Sequence, residues 1–184
     1  GRYIADQLSA HPALTVRSAT LDDAEQGIST EALNNTDVLI WWGHIRHGEI
    51  PVAKGQEIAQ RIASGALSFI GLHSAHWSVP FIEAMNEVTK RKTFTDYSLK
   101  KEDVEFIAPE VRKSLPKRTD RISPYADVRK FPDESKKLRV HLPNCCFSDV
   151  ANDGKPSTLS VLQKNHPIVK GLTLKLHLSQ TEMY

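Results

Sequence analysis

Four of the chain's eight histidines stand in two short stretches, "WWGHIRHGE" (residues 41–49) and "GLHSAHWS" (residues 71–78). The first carries His44 and His47 with Glu49; the second carries His73 and His76 with Ser74 and Ser78. Imidazole exchanges a proton near neutral pH and ligates transition metals, so this clustering points to acid–base or metal-assisted chemistry. The H-x-x-H spacing in both stretches does not fit the helical H-E-x-x-H zinc motif, so a metal would draw its ligands from separate segments. His44, His73, a thiolate from Cys146 or Cys145 and the carboxylate of Glu182 would together suit Zn²⁺ or another divalent transition metal. Glu182, in the terminal "TEMY", is also placed to act as ligand or general base beside His73. Trp41, Trp42 and Trp77 flank the proposed pocket, and one of them is expected to touch it, where an aromatic face would suit the apolar face of a ring-shaped ligand such as a carbohydrate.

A plainer role stands beside each of these. His73 could hold a turn through local hydrogen bonds, and His47 and His76 could be exposed or support other groups. Glu182 could be a surface carboxylate and the tryptophans core. At the level of the residues alone these alternatives stay open.

Both histidine stretches follow apolar runs. "DVLIWW", residues 37–42, is continuous and apolar, as expected of a strand buried on both faces, and "SFIGLH" reads as the next buried strand. Between them Val52, Ile58, Ala59, Ile62 and Ala66 keep helical spacing, with Gly65 near the helix end. Ser78 is a predicted N-cap for a helix to about Val88, with Pro80 in its first turn. Upstream, Tyr3, Ile4, Gln7 and Leu8 suit a one-sided helix, "LTVRSATL" a short strand, and residues 29–34 a short helix. Strands alternating with helices of this length predict parallel pairing through right-handed crossovers. Residues 1 to about 90 therefore read as α/β, a doubly wound, mostly parallel, flavodoxin-like sheet with flanking helices. Such sheets bind ligands beyond the carboxyl ends of their strands, where both histidine stretches fall.

Gly71, Leu72, His73, Ser74 and Ala75 fit the small-x-nucleophile-x-small pattern of a strand–turn–helix elbow. Small residues are needed because strand and helix backbones come close, and the central residue is held in strain at an exposed tip. An imidazole there serves as base or metal ligand, but it is a poor covalent nucleophile for amide chemistry.

Residues 91–137 are rich in Lys, Arg, Asp and Pro and keep no clean period. They read as a surface insertion with one or two short helices, "KKEDVEFIAPEVRKSL" being the best candidate; their acidic residues favour a solvated surface over a phosphate site. "KLRVHL" resumes as strand, "CCFSDV" and "STLSVLQ" flank the turn "ANDGKP" as an added β-hairpin, and "LTLKLHLS" reads as a last strand. "NHPIVKGL" predicts a turn before it, with His166 structural. One domain is expected over residues 1–184, with both ends reading as cut from something longer.

A formal net charge of +2 gives no electrostatic preference for nucleic acid or anionic membrane. No apolar run approaches the roughly 20 residues that span a bilayer. Adjacent Cys145 and Cys146 cannot staple the fold, and a reducing cytoplasm is the simplest setting. Assembly into a homo-oligomer stays open.

"TDVLIWWGHIRHGEIP", "GLHSAHWS", "NHPIVKGL" and "EMY", in this order, resemble the ThuA family, trehalose-utilisation proteins with the class I glutamine amidotransferase-like fold. The resemblance covers residues 1 to about 88 and about 150 to 184, leaving the insertion outside. In amidotransferases of this fold the elbow carries the cysteine that attacks glutamine. Here His73 stands in that place, so the resemblance implies a rebuilt site without glutaminase activity and a role with trehalose or a related sugar. His44, His47, Trp42, Ser74, His76 and Trp77 are then the expected ligand-binding residues, with His73 and Glu182 acting on the ligand. A non-catalytic module that binds a sugar or a partner is the alternative.

Overall fold

The computed structural model describes residues 1–43, 45–108, 123–133, 135–143 and 155–179. These fall into two compact units, one from residue 1 to 143 and one from 155 to 179. The architecture is mixed α/β, with parallel and antiparallel pairing.

The first unit opens with helix α1 (Arg2–Ser9), none of whose residues is buried. The expected strand "LTVRSATL" is not formed. Residues 14–20 have no ladder partner and run as a loop, tied down where the Arg17 guanidinium donates to the Gly27 carbonyl at 2.7 Å. Helix α2 (Thr30–Asn34) starts as expected, because the Ser29 hydroxyl accepts the Ala32 N–H. Strand β1 (Val38–Trp42) pairs in parallel with β2 (Ser68–Leu72) across helix α3 (Val52–Ala63). The apolar content of β1 suggested burial on both faces, but its residues alternate. Leu39 and Trp41 pack on a core of Ile28, Leu33, Ile50, Ile58, Leu67 and Val79, while Val38, Ile40 and Trp42 face outward. An apolar run fixes a strand; it does not fix how many of its faces are covered.

Helix α4 (Val79–Tyr97) begins where Ser78 accepts the Phe81 N–H, with proline in the first turn. It runs well past Val88, the expected end. Its charged second half is held by a Glu87–Arg91 pair one turn apart, and Ser98 ends it in the left-handed region. α3 and α4 pack closely at Gly55, where an added methyl would stand 2.6 Å from Val79 Cγ1.

Of the candidate helix "KKEDVEFIAPEVRKSL", the described part is instead a short 3-10 turn (Lys101–Asp103) and a strand, β3 (Val104–Ile107), and residues 109–115 lie outside the described residues. Val104 and Phe106 alternate inward onto Val140 and Leu138, a period of two that the flanking charges obscured. β3 pairs in parallel with β5 (Lys136–His141), and β4 (Tyr125–Lys130) pairs antiparallel on its other side. Val104, Val140 and Leu142 form a second core with Phe94 of α4.

The second unit pairs β6 (Ser157–Ser160) antiparallel with β7 (Lys175–Leu178). "CCFSDV" and its turn, expected to partner the β6 segment, lie outside the described residues. Between the strands the His166 imidazole accepts the Ile168 N–H at 3.2 Å, the structural role expected of it. Among the described residues no helix is long and apolar enough to cross a membrane.

Candidate functional site

β2 delivers the chain to His73, whose φ of 54° lies in the left-handed region that L-residues with a side chain avoid. Residues His73–Trp77 make one 3-10 turn, and α4 leaves directly from it. The elbow is therefore formed, and its small residues have a visible cause. A methyl on Gly71 would come within 3.2 Å of the Phe81 ring, and Ala75 is 1% exposed. His73 is exposed at the tip, whereas Ser74 and His76 turn inward and are buried.

The three tryptophans divide. Trp41 packs on the first core. Trp77 is half-buried, its ring edge-on to His76 with centroids 4.6 Å apart. Trp42 is 52% exposed and stacks against His73, centroids 6.2 Å apart and planes 18° from parallel. Trp42 is opposite Leu72 in the β1–β2 ladder, so the register carries this stack.

The loop after β1 is pinned by a residue that sequence reasoning passed over. Arg46, itself left-handed at φ 63°, donates through Nε and Nη2 to the two carboxylate oxygens of Glu49, both at 2.7 Å, and through Nη1 to Asp22 at 2.8 Å. Glu49 is held below the usual carboxylate range chiefly by the Arg46 hydrogen bonds. His47 opens the 3-10 turn His47–Glu49 in this loop. His44, the His47 side chain, Cys145, Cys146 and Glu182 lie outside the described residues, so of the expected metal ligands only His73 is described. Among the described residues no three His, Cys, Asp or Glu side chains come together as metal ligands.

Two further polar clusters were not singled out from sequence. Gln56, Gln60, Glu83, Glu87 and Lys90 line a cavity of about 160 Å³ between α3 and α4, with Glu83 4% exposed. On β4 and β5, Asp127 accepts from Arg139 Nε and meets His141 Nε2, each at 2.7 Å, with Tyr125 stacked on His141. The two-residue alternation of "YADVR" and "LRVH" was the available signal for that second cluster.

No curated protein matches the chain significantly. The family model described as "ThuA: Trehalose utilisation" matches residues 2–184, including the 91–137 segment that the motif resemblance left uncovered. An elbow with histidine at its tip therefore sits in a chain that belongs, over essentially its whole length, to the ThuA family of trehalose utilisation.

Proposed function

We propose that this chain works on, or holds, a small sugar of trehalose or related disaccharide metabolism at the elbow between β2 and α4, with His73 as the acting group. The observation that carries this reading is the backbone of His73. A non-glycine residue in a sparsely populated conformation costs about 1–3 kcal/mol and persists where the surrounding structure enforces it, commonly at functional sites. What the strain achieves here is presentation of an imidazole beyond the carboxyl end of a parallel strand.

An imidazole in that place takes a proton from a sugar hydroxyl, returns one to a leaving oxygen, or ligates a cation. It does not replace a cysteine as the nucleophile toward glutamine, so the reading includes no glutaminase activity. Trp42 supplies an apolar ring face beside the imidazole, the surface on which the C–H face of a sugar ring packs. His44, His47, Ser74, His76, Trp77 and Glu182 complete the proposed lining, and His44, His73, Cys146 and Glu182 are the proposed donors should a divalent transition metal take part. The frame we assign is the doubly wound amidotransferase-like sheet.

Calorimetric titration of wild type and His73→Ala with trehalose tests this. Saturable binding that the substitution weakens at least tenfold supports it, and equal binding by the two proteins contradicts it.

A further inference from the structure

β4 and β5 place four functional side chains on one face of their sheet. Tyr125 stands opposite His141 and Asp127 opposite Arg139 in the antiparallel ladder. The Tyr125 and His141 rings are 4.3 Å apart and within 3° of parallel. The two Asp127 oxygens are shared out, Oδ1 to Arg139 Nε and Oδ2 to His141 Nε2, both at 2.7 Å. The alternate residues Leu138 and Val140 belong to the second core, so the polar set faces away from it.

The carboxylate decides what the imidazole offers. Asp127 is held below the usual carboxylate range by Arg139 first and His141 second, so it is ionised near neutral pH and only accepts. The proton of the His141–Asp127 contact therefore sits on Nε2, and in the neutral ring Nδ1 carries a lone pair. Among the described residues Nδ1 makes no hydrogen bond, and neither do the terminal amino groups of Arg139. His141 keeps 23% of its side-chain surface exposed. It is also the last residue of β5, level with Ile107 of β3, at the carboxyl end of a parallel pair. That is the edge at which α/β sheets take ligands. The antiparallel ladder already joins β4 to β5; the imidazole adds an acceptor oriented by Asp127 on the same face as the Arg139 guanidinium, and an acceptor with donors on one face suits a diol.

We propose that His141, oriented by Asp127, is a second ligand-binding group that accepts a hydroxyl of a small sugar at Nδ1 while Arg139 donates to a neighbouring oxygen. The choice of a sugar rests on the reading of the elbow given above; the geometry of the group does not. Asp127 is here a positioning residue, because it acts through His141.

Nuclear magnetic resonance of protein labelled with ¹⁵N in the histidine rings tests both parts, with trehalose as probe and dioxane, which has no hydroxyls, as control. His141 is expected to show the Nε2–H tautomer, and its ring signals should shift saturably with trehalose but not with dioxane, in wild type and in His73→Ala. In Asp127→Asn the tautomers should mix and the apparent affinity at His141 should fall by about tenfold, the worth of one charged hydrogen bond. Should that variant fail to fold, Arg139→Gln, which leaves the imidazole and its carboxylate in place, should weaken the His141 response several-fold. Trehalose shifts confined to His73 overturn this proposal and leave the elbow reading standing. A His141 response that disappears in His73→Ala, or survives Asp127→Asn and Arg139→Gln unchanged, also overturns it. Shifts at neither histidine overturn both.

Discussion

The Trp42 indole lies nearly parallel to the His73 imidazole, 18° between planes and 6.2 Å between centroids, although the two belong to different strand ends. The parallel register sets this relationship, because Trp42 is paired with Leu72 and His73 follows directly. Trp42→Ala should weaken trehalose binding three- to tenfold, in line with about 0.5–1.5 kcal/mol for an aromatic contact. Its melting temperature should move little, since the side chain is 52% exposed. Unchanged affinity in calorimetry would take Trp42 out of the site.

The strain at His73 gives a stability test separate from binding. At a φ of 54° alanine keeps the steric penalty and glycine relieves it. His73→Gly should therefore be more stable than His73→Ala by about 1 kcal/mol in urea denaturation, while both lose ligand binding. Equal stability of the two variants would mean that the backbone carries no strain there.

A second stability test concerns the seat of α3 on α4. Alanine at Gly55 gains up to about 1 kcal/mol of helix propensity. Its methyl, however, would stand 2.6 Å from Val79 Cγ1 and 3.1 Å from Glu83 Cγ. Overpacking of that kind costs about 1–3 kcal/mol, so a net loss of stability is expected on thermal unfolding. A more stable Gly55→Ala protein would show that the two helices separate without cost.

Acid should unfold the wild type partly through Asp127. Its folded carboxyl lies below the ordinary value because Arg139 and then His141 stabilise the anion. A depressed folded value adds stability above the unfolded carboxyl value, near pH 4, and loses it as pH falls through the folded one. Asp127→Asn should therefore be less stable than wild type at pH 7, with the difference closing below about pH 4. Melting temperatures across pH 2.5–7 measure this, and parallel profiles would contradict it.

Local signals in the sequence went far in the first half of the chain. Ser29 and Ser78 start their helices through the hydroxyl bonds their types imply, and Gly71, His73 and Ala75 form the elbow their spacing implies. Those features depend on neighbours within a few residues. What depended on distant partners was not legible. Whether "LTVRSATL" becomes a strand rests on a neighbouring edge to bond, and residues 14–20 have none. Whether "EDVEFI" is helix or strand was decided by Val140 and Leu138, more than thirty residues on, which reward the alternation of Val104 and Phe106. The length of α4 was hidden because its charged second half lacks an apolar stripe, although Thr93 is buried and Phe94 packs on the second core. In the site, Trp42 and His73 were found by type and position, while Arg46 and the Asp127–His141 pair needed cross-chain geometry.

The most direct test of the central claim is the trehalose affinity of His73→Ala beside that of wild type, by calorimetry on protein purified without chelator. Saturable binding to wild type and a loss of at least tenfold in the variant are expected, with the variant's fold intact by circular dichroism. Binding of equal strength to a folded His73→Ala protein would contradict it.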